Sequence, residues 1–333
     1  MAGTTPRVTV ITLGGTISMS GSTGLVAPTL SAADLIAAIP GLDGTNIDVH
    51  VRDVMRIPGG SLTFPDILTV HDAIRAELDQ GSTGTVVVQG TDTIEESAYL
   101  LHLLHDADAP IVVTGAMRNP TQPSPDGPAN LLAAIRVAAD ECSRGRGCLV
   151  VLNDQVHAAR HVAKTHTIAT NAFASGASGP LGWIVEGEVR YGHPPVPRAT
   201  KPRRPLRPTA PATVGMITAT LGDDGSWISD FAHRFDGLIV AGFGVGHVPM
   251  TWADHLEKAC AQQPVVLASR ITTGPSLTNT YGFTGSESDL ISRGLIPSGD
   301  LGPYKARVLL WALLADSTSP ADIRTAFTEH NHA

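Results

Sequence analysis

The sequence has 333 residues, of which 42% are apolar, and its formal net charge at neutral pH is −8. This length suits one large domain or two ordinary ones, each with a sizeable core.

The negative charge argues against nucleic-acid binding. No apolar run approaches the roughly 20 residues that a membrane span needs, so no membrane partner is expected. The three cysteines do not form a disulfide framework, and the N-terminus lacks signal-peptide features, which favours a cytoplasmic location.

The N-terminal stretch combines a short strand with a glycine turn. Residues 8–11 are β-branched and predict a strand that leads to Gly14 and Gly15. Glycine lets the backbone turn sharply and approach a ligand closely, and Thr16 follows this turn at once. Residues 19–29 are small and polar without a helical period, so they form either a mobile lid or an irregular loop.

A second glycine turn follows the next predicted strand. Residues 49–57 predict the strand, and Pro58-Gly59-Gly60-Ser61 predicts the turn. Residues 65–78 then predict a helix.

The stretch at residues 86–97, VVVQGTDTIEES, organises the rest of the chain. The valine run predicts a buried strand, and the spacing of Thr93 and Glu96 is typical of a capping box at a helix start. Gly90, Thr91 and Asp92 are therefore expected in a tight strand-to-helix turn. In a parallel sheet such turns lie at the carboxyl ends of the strands, where ligands bind. The alternative is that the polar side chains here only cap the helix.

Two more short apolar strands follow, at residues 111–114 and 149–152. Lys164 then lies among three histidines, of which His157 and His161 have a spacing that suits one helix face. Such a spacing can hold zinc, but no carboxylate base lies between the histidines as in a zinc protease motif. We therefore expect no metal.

The repeated order of strand, polar turn and helix predicts an α/β fold with a mostly parallel sheet. Such a sheet brings the turns at its carboxyl edge together. The chemically capable residues in or soon after these turns are therefore expected to share one cleft; they are Thr16, Ser61, Thr91, Asp92 and Lys164.

A proline-rich stretch with five basic residues interrupts this pattern at residues 191–211 and is typical of an extended linker. The basic cluster suits either a solvated connector or contact with an anionic partner. A second α/β segment follows it. We therefore predict an N-terminal α/β catalytic domain at residues 1–190, a linker at 191–212 and a smaller C-terminal α/β domain with a parallel sheet at 213–333.

Taken together, these turns resemble those of the bacterial-type L-asparaginase family. Six stretches carry the resemblance in the family's order across nearly the whole chain. They are Ile11-Thr12-Leu13-Gly14-Gly15-Thr16-Ile17-Ser18, Gln89-Gly90-Thr91-Asp92-Thr93-Ile94-Glu95-Glu96, Gly115-Ala116-Met117-Arg118, Asp126-Gly127-Pro128-Ala129-Asn130-Leu131, Val162-Ala163-Lys164-Thr165 and Lys305-Ala306-Arg307-Val308-Leu309-Leu310. Each is weak alone, whereas jointly they are specific.

The resemblance implies hydrolysis of L-asparagine to L-aspartate and ammonia, without a metal or organic cofactor, by a homotetramer built from close dimers. It implies that Thr16 is the nucleophile. It also implies that Thr91, Lys164 and Asp92 form a second catalytic group, in which Asp92 additionally binds the substrate α-amino group.

The remaining substrate contacts are also carried over from the family by position. Gly60 and Ser61 match the turn that holds the substrate α-carboxylate. Gly90 and Ala116 match residues that line the pocket through backbone groups. These assignments suit the residue types, because a zwitterionic amino acid needs an anion for its ammonium and fixed donors for its carboxylate.

The sequence also departs from the family pattern. Leu13 and Gln89 stand where the two signatures usually have threonine and histidine. Residues 19–29 contain no tyrosine, although the family's lid usually carries one. The candidate replacements are Ser20, Ser22, Thr23 and Tyr281. A turn ending at His247 replaces an asparagine-bearing one. The main substrate could therefore be glutamine or another amide, or the protein could bind an amino acid without turnover, as a sensor. A nucleotide-binding role is disfavoured because neither the phosphate-loop nor the dinucleotide pattern is present.

Overall fold

A computed structural model of the chain divides into two compact units, Met1–Pro205 and Leu206–Ala333. The structure describes residues 5–15, 19–20, 27–28, 32–194 and 205–331. Each unit has its own sheet and its own apolar core. The predicted domain boundaries remain predictions, and residues 195–204 of the predicted linker lie outside the described part.

The first unit is built around one large sheet. Its described strands are β1 Arg7–Thr12, β2 Met19–Ser20, β3 Ala27–Pro28, β4 Asp48–Asp53, β5 Gly84–Val88, β6 Ile111–Thr114, β7 Cys148–Leu152, β8 Gln155–Ala158, β9 Ala163–Lys164, β10 Phe173–Ala174, β11 Gly182–Val185 and β12 Glu188–Tyr191. Its described helices are α1 Ala32–Ala37, α2 Phe64–Asp79, α3 Ile94–Leu104 and α4 Gly127–Ala139. The large sheet has the order β12-β11-β8-β7-β6-β5-β1-β4.

The centre of this sheet is parallel and buried. β5 reads GTVVV and β7 reads CLVVL, and every residue of both strands is buried. Continuous apolar runs of this kind are typical of parallel strands that are covered on both faces. β4, β1, β5, β6 and β7 pair in parallel, which confirms the predicted fold class for the first unit.

The carboxyl ends of four parallel strands lie in register. Thr12 pairs with Asp53 on one side and with Val88 on the other, and Val88 pairs with Thr114. The turns that follow β1, β4, β5 and β6 therefore start from one line across the sheet. This line forms the edge at which ligands bind in parallel α/β sheets.

The start of α3 is where predicted, but its predicted capping box is wrong. The helix begins at Ile94, and the side chain of Thr93 makes no cap hydrogen bond. A 3₁₀ turn at Thr91–Thr93 precedes the helix, and the Thr93 hydroxyl donates instead to the carbonyl oxygen of Gly59, 3.0 Å away.

The other half of the sheet is antiparallel, which the sequence pattern did not indicate. β8 pairs with β7 and with β11, and β11 pairs with β12, all antiparallel. His157 lies on β8, so the idea that it shares a helix face with His161 is wrong. Asn153 and Asp154 turn the chain between β7 and β8 with positive φ angles of 52° and 58°.

The second unit has a four-stranded parallel sheet, as predicted. Its strands, in sheet order, are β13 Val214–Thr218, β14 Gly237–Gly242, β15 Val265–Ser269 and β16 Ile296–Pro297. Its described helices are α5 Ile228–Ala232, α6 Ala253–Cys260, α7 Glu287–Ser292, α8 Pro303–Ala315 and α9 Pro320–Asn331. None of the helices that the structure describes has the length and apolar character needed to cross a membrane.

His71 on α2 is a buried histidine with an unpaired ring nitrogen. Its side chain is buried, and Nε2 has no hydrogen-bond partner among the described residues. Burial, with a smaller contribution from nearby His105, lowers its pKa from the usual 6.5 to about 4. The imidazole therefore stays neutral in the folded protein over a pH range in which the unfolded chain binds a proton.

We expect this histidine to make the fold acid-sensitive between pH 6.5 and 4. The unfolded state binds more protons in this window, so the free energy of unfolding falls as the pH falls, by about 1 kcal/mol per pH unit for one such group. His71→Gln should show a shallower decline than the wild type by that amount in urea titrations at pH 7, 6, 5 and 4.5. Parallel declines for the two proteins would contradict the assignment.

Candidate active site

Lys164 contacts the two polar residues that follow β5. Its Nζ donates to Thr91 Oγ1 at 2.9 Å and to Asp92 Oδ1 at 2.8 Å. Thr91 is buried, and the Lys164 side chain is 18% exposed, whereas the Asp92 side chain is 71% exposed. The amine of Lys164 thus contacts both a hydroxyl and a carboxylate, and the carboxylate faces solvent.

Thr91 and Asp92 are placed by the end of β5. The strand runs through the core, and the 3₁₀ turn Thr91–Thr93 directs the chain from the strand into α3. Gly115, which follows β6, lies so close that a Cβ there would meet the Gln89 oxygen at 2.6 Å and Thr91 Cγ2 at 3.3 Å. The backbone of Gly115 therefore packs closely against Gln89 and Thr91, and this packing restricts the position of Thr91.

Lys164 lies outside the large sheet. It lies on β9, which forms a two-stranded antiparallel sheet with β10, where Lys164 pairs with Phe173. His157 on β8 joins this hairpin to the large sheet, because its Nδ1 lies 2.9 Å from Ser175 Oγ. Both residues are buried, and burial lowers the pKa of His157 to about 4, so this ring is neutral near pH 7. The sequence pattern indicated His157 only as a candidate metal ligand and did not indicate its contact with Ser175.

Three glycines pack main chain against main chain beside this group. A Cβ on Gly15 would lie 2.2 Å from Gly90 N, and a Cβ on Gly59 would lie 3.0 Å from Gly90 O. Gly15 also has a φ of +94°, which L residues with side chains rarely adopt. The turns after β1, β4 and β5 therefore touch one another through backbone atoms, with no side chain between them.

The predicted substrate-binding residues lie in the turns after β4, β5 and β6. Gly60 and Ser61 are exposed on the 3₁₀ turn Gly59–Ser61, where Ser61 N donates to Pro58 O at 2.8 Å. Gly90 and Ala116 are buried.

Hydrogen bonds with Asp126 and Asn130 stabilise the turn after β6. Asp126 accepts hydrogen bonds from the backbone nitrogens of Met117 and Arg118, at 3.0 and 2.8 Å. Asn130 Nδ2 donates to Gly115 O at 3.0 Å, and Asn130 Oδ1 accepts from Asn153 N at 2.9 Å. The motif from Asp126 to Leu131 thus supports the turn that carries Ala116, a structural role that the sequence did not indicate.

Thr16 and most of the predicted lid lie outside the described residues. Within the described part of the chain, no group of three or more histidine, cysteine or acidic side chains is arranged to hold a metal ion. His166, the third histidine near Lys164, accepts hydrogen bonds from the backbone nitrogens of Ile168 and Ala169.

Both units of the chain match known protein-family profiles. The profile for the asparaginase N-terminal domain matches residues 7–197, and the profile for the glutaminase/asparaginase C-terminal domain matches residues 213–327. The chain belongs to the asparaginase family. It is 37% identical to a probable L-asparaginase of Deinococcus radiodurans over 99% of both chains. It is 35% identical to a probable periplasmic L-asparaginase of Haemophilus influenzae, over 97% of this chain and 93% of that one.

A solved asparaginase structure has the same fold. The crystal structure of a probable cytoplasmic L-asparaginase from Campylobacter jejuni matches with a TM-score of 0.85 and 30% identity, over 97% of this chain and 99% of that chain. The similarity therefore extends over both units of the chain, in agreement with the predicted family and fold.

The second unit of this asparaginase carries an aromatic and acidic cluster. Glu287 is fully buried and accepts hydrogen bonds from the backbone nitrogens of Thr280 and Tyr281, at 2.8 and 2.7 Å. His247 Nε2 lies 3.1 Å from Glu287 Oε2, and the His247 ring makes edge contacts with Tyr281 and Phe283. Tyr281, one of the predicted candidates for the missing lid tyrosine, is 44% exposed.

The glycine contacts predict a large stability difference between two Gly→Ala variants. Gly15→Ala has both an unfavourable φ and a backbone overlap, so it should lose about 3 kcal/mol or more. Gly41→Ala is the matched control, because Gly41 has a φ of +79° but nothing within 4 Å of the added Cβ. It should lose only about 1–2 kcal/mol. Equal losses in urea unfolding would show that backbone contact at Gly15 is unimportant.

Proposed function

We propose that the protein hydrolyses the side-chain amide of L-asparagine to give L-aspartate and ammonia. Membership of the asparaginase family supports this activity. The observation that carries the proposal is the contact of Lys164 Nζ with both Thr91 Oγ1 and Asp92 Oδ1. A hydroxyl beside an amine is suited to proton transfer during acyl transfer, and the proposal includes no metal or organic cofactor.

Thr91, Lys164 and Asp92 are proposed as a proton-transfer group. When Lys164 gives up a proton, its nitrogen can accept the proton of the Thr91 hydroxyl, and the oxygen becomes a stronger nucleophile or base. The Asp92 carboxylate at 2.8 Å then stabilises the ammonium that forms on Lys164. The low exposure of Thr91 and Lys164 favours this exchange, because bulk water competes less for the hydrogen bonds.

Thr16 is proposed as the nucleophile that attacks the amide carbon. It follows Gly15, which packs against Gly90, the residue before Thr91. Attack by its hydroxyl would release ammonia and leave an acyl group on the threonine oxygen. Water activated by the Thr91 group would then release aspartate and restore the hydroxyl.

The proposed substrate contacts use the neighbouring turns. Asp92 would bind the α-ammonium, because most of its carboxylate is exposed even though one oxygen contacts Lys164. Gly60 and Ser61 would bind the α-carboxylate from the exposed turn after β4. Gly90 and Ala116 would line the pocket with main-chain groups.

A kinetic comparison of L-asparagine, L-glutamine and D-asparagine with purified protein tests the proposal. We expect ammonia release to be fastest with L-asparagine. Preference for L-glutamine or another amide would replace the substrate but keep the chemistry. Calorimetric binding of aspartate without ammonia release from any amide would instead support a sensor, the alternative that the lid without tyrosine suggests.

Lys164 should be required as a proton carrier and not only as a charge. Lys164→Arg keeps the positive charge but does not release a proton readily, so it should lower kcat nearly as much as Lys164→Met. Thr91→Val and Thr16→Ala should each lower kcat by at least about a thousandfold. Lys258→Met, at an exposed position on α6, is the control and should keep wild-type kcat. An active Lys164→Arg variant would rule out the proton-transfer role.

Assembly and location complete the proposal. We propose a homotetramer made of two close dimers, which light scattering would detect as a mass four times that of the 34.7 kDa chain. We also propose a cytoplasmic location, like that of the Campylobacter protein and unlike that of the Haemophilus relative. Fractionation of the source cells distinguishes the two compartments.

A further inference from the structure

A directional series of hydrogen bonds connects α3 to the turn after β4. Ser97 Oγ donates to Gln89 Oε1 at 2.7 Å, Gln89 Nε2 donates to Thr93 Oγ1 at 3.3 Å, and Thr93 Oγ1 donates to Gly59 O at 3.0 Å. The series starts in the first turns of α3 and ends at Gly59, where the proposed substrate-binding turn begins.

The direction of the series is fixed by its partners. Gln89 Nε2 also lies 3.3 Å from Gly90 O, which can only accept a hydrogen bond. A reversed amide would place its oxygen against that carbonyl, so the nitrogen must occupy this side. The Thr93 oxygen therefore accepts from Gln89, and its single proton is available for Gly59 O.

Burial favours this arrangement, in which Gln89 Oε1 is the nearest acceptor for the Ser97 hydroxyl and Thr93 O, at 3.0 Å, is the next. Gln89 has no exposed surface, and Ser97 is 4% exposed. An unsatisfied buried amide group costs roughly 1–3 kcal/mol, so Gln89 is strongly held to its partners. The amide in turn restricts the position of the Thr93 hydroxyl.

The turns after β4 and β5 therefore meet at two points. One is the backbone contact of Gly59 with Gly90, and the other is the hydrogen bond from Thr93 to Gly59 O. A single contact would let one turn rock against the other. Two contacts fix the position of Gly60 and Ser61 relative to Thr91 and Asp92.

We infer that Thr93 is a positioning residue that sets the spacing between these turns and thereby selects asparagine over glutamine. The inference rests on the proposed function, because it takes Gly60 and Ser61 as the carboxylate site. Asparagine and glutamine differ by one methylene, and one C–C bond is about 1.5 Å long. A carboxylate site at a fixed distance binds the shorter side chain with its amide carbon at the reacting groups, whereas the longer side chain must bend or shift to fit. A fixed spacing therefore discriminates between the two amides in kcat/KM.

Thr93→Val tests the inference, because valine keeps the shape of threonine and loses the hydroxyl. We expect the KM for L-asparagine to rise at least about fivefold with kcat within threefold of wild type. The ratio of kcat/KM for L-asparagine to that for L-glutamine should fall at least about fivefold. Thr93→Ser, which restores a hydroxyl, should recover most of the wild-type KM and ratio.

Thr83→Val is the matched control for stability. Thr83 is half-buried like Thr93, and its Oγ1 donates to the backbone oxygen of Arg7 at the same 3.0 Å, away from the turns. It should lower the melting temperature by a similar amount and leave the substrate ratio unchanged. If Thr93→Val does not fold, Ser97→Ala removes the donor to Gln89 Oε1 and should shift the ratio in the same direction.

The outcomes separate this inference from the proposed function. An active wild type together with a Thr93→Val variant that keeps both KM and substrate ratio would overturn the inference alone. A wild type that releases no ammonia from either amide would overturn the proposed function, and the inference with it.

Discussion

The register of the parallel strands is the constraint on which the candidate site depends. Thr12, Asp53, Val88 and Thr114 end their strands on one line across the sheet. Four turns therefore start side by side, and the polar groups that directly follow the strand ends lie near that line. The buried apolar strands hold this register, since a slip would place core side chains against solvent. Core packing thus determines where the chemistry takes place.

Lys164 belongs to a different structural element from the other site residues. It comes from a small hairpin that the buried His157–Ser175 contact joins to the large sheet. The amine is therefore positioned by one set of contacts and the hydroxyl and carboxylate by another. The two sets meet at the hydrogen bonds of Lys164 with Thr91 and Asp92. Placement of the hairpin is consequently as important to the site as the turn after β5.

The sequence predicted the parts of the fold that local pattern encodes. The valine-rich β5, the turn at Gly90–Asp92 and the start of α3 could all be predicted, because strand composition and turn residues act over short distances. The antiparallel strands β8, β11 and β12 could not be predicted, because their pairing depends on partners far along the chain. The Thr93 capping box failed for the same reason, since a distant carbonyl, Gly59 O, competes for its hydroxyl. The strand-and-turn pattern and the family resemblance both predicted that Lys164 and Thr91, 73 residues apart, lie in one cleft, whereas neither indicated the small hairpin that carries Lys164.

The contact of Gly15, Gly59 and Gly90 limits how such a site can be redesigned. These glycines contact one another through main-chain atoms, so a larger residue at Gly15 has no room without a backbone shift. Randomised libraries that include these positions would consist mostly of misfolded variants. Selection for new amide substrates is better directed at the exposed residues of the turn after β4, where Gly60 has nothing within 4 Å of an added Cβ. A constrained position, Gly59, and a permissive one, Gly60, are thus adjacent in the chain.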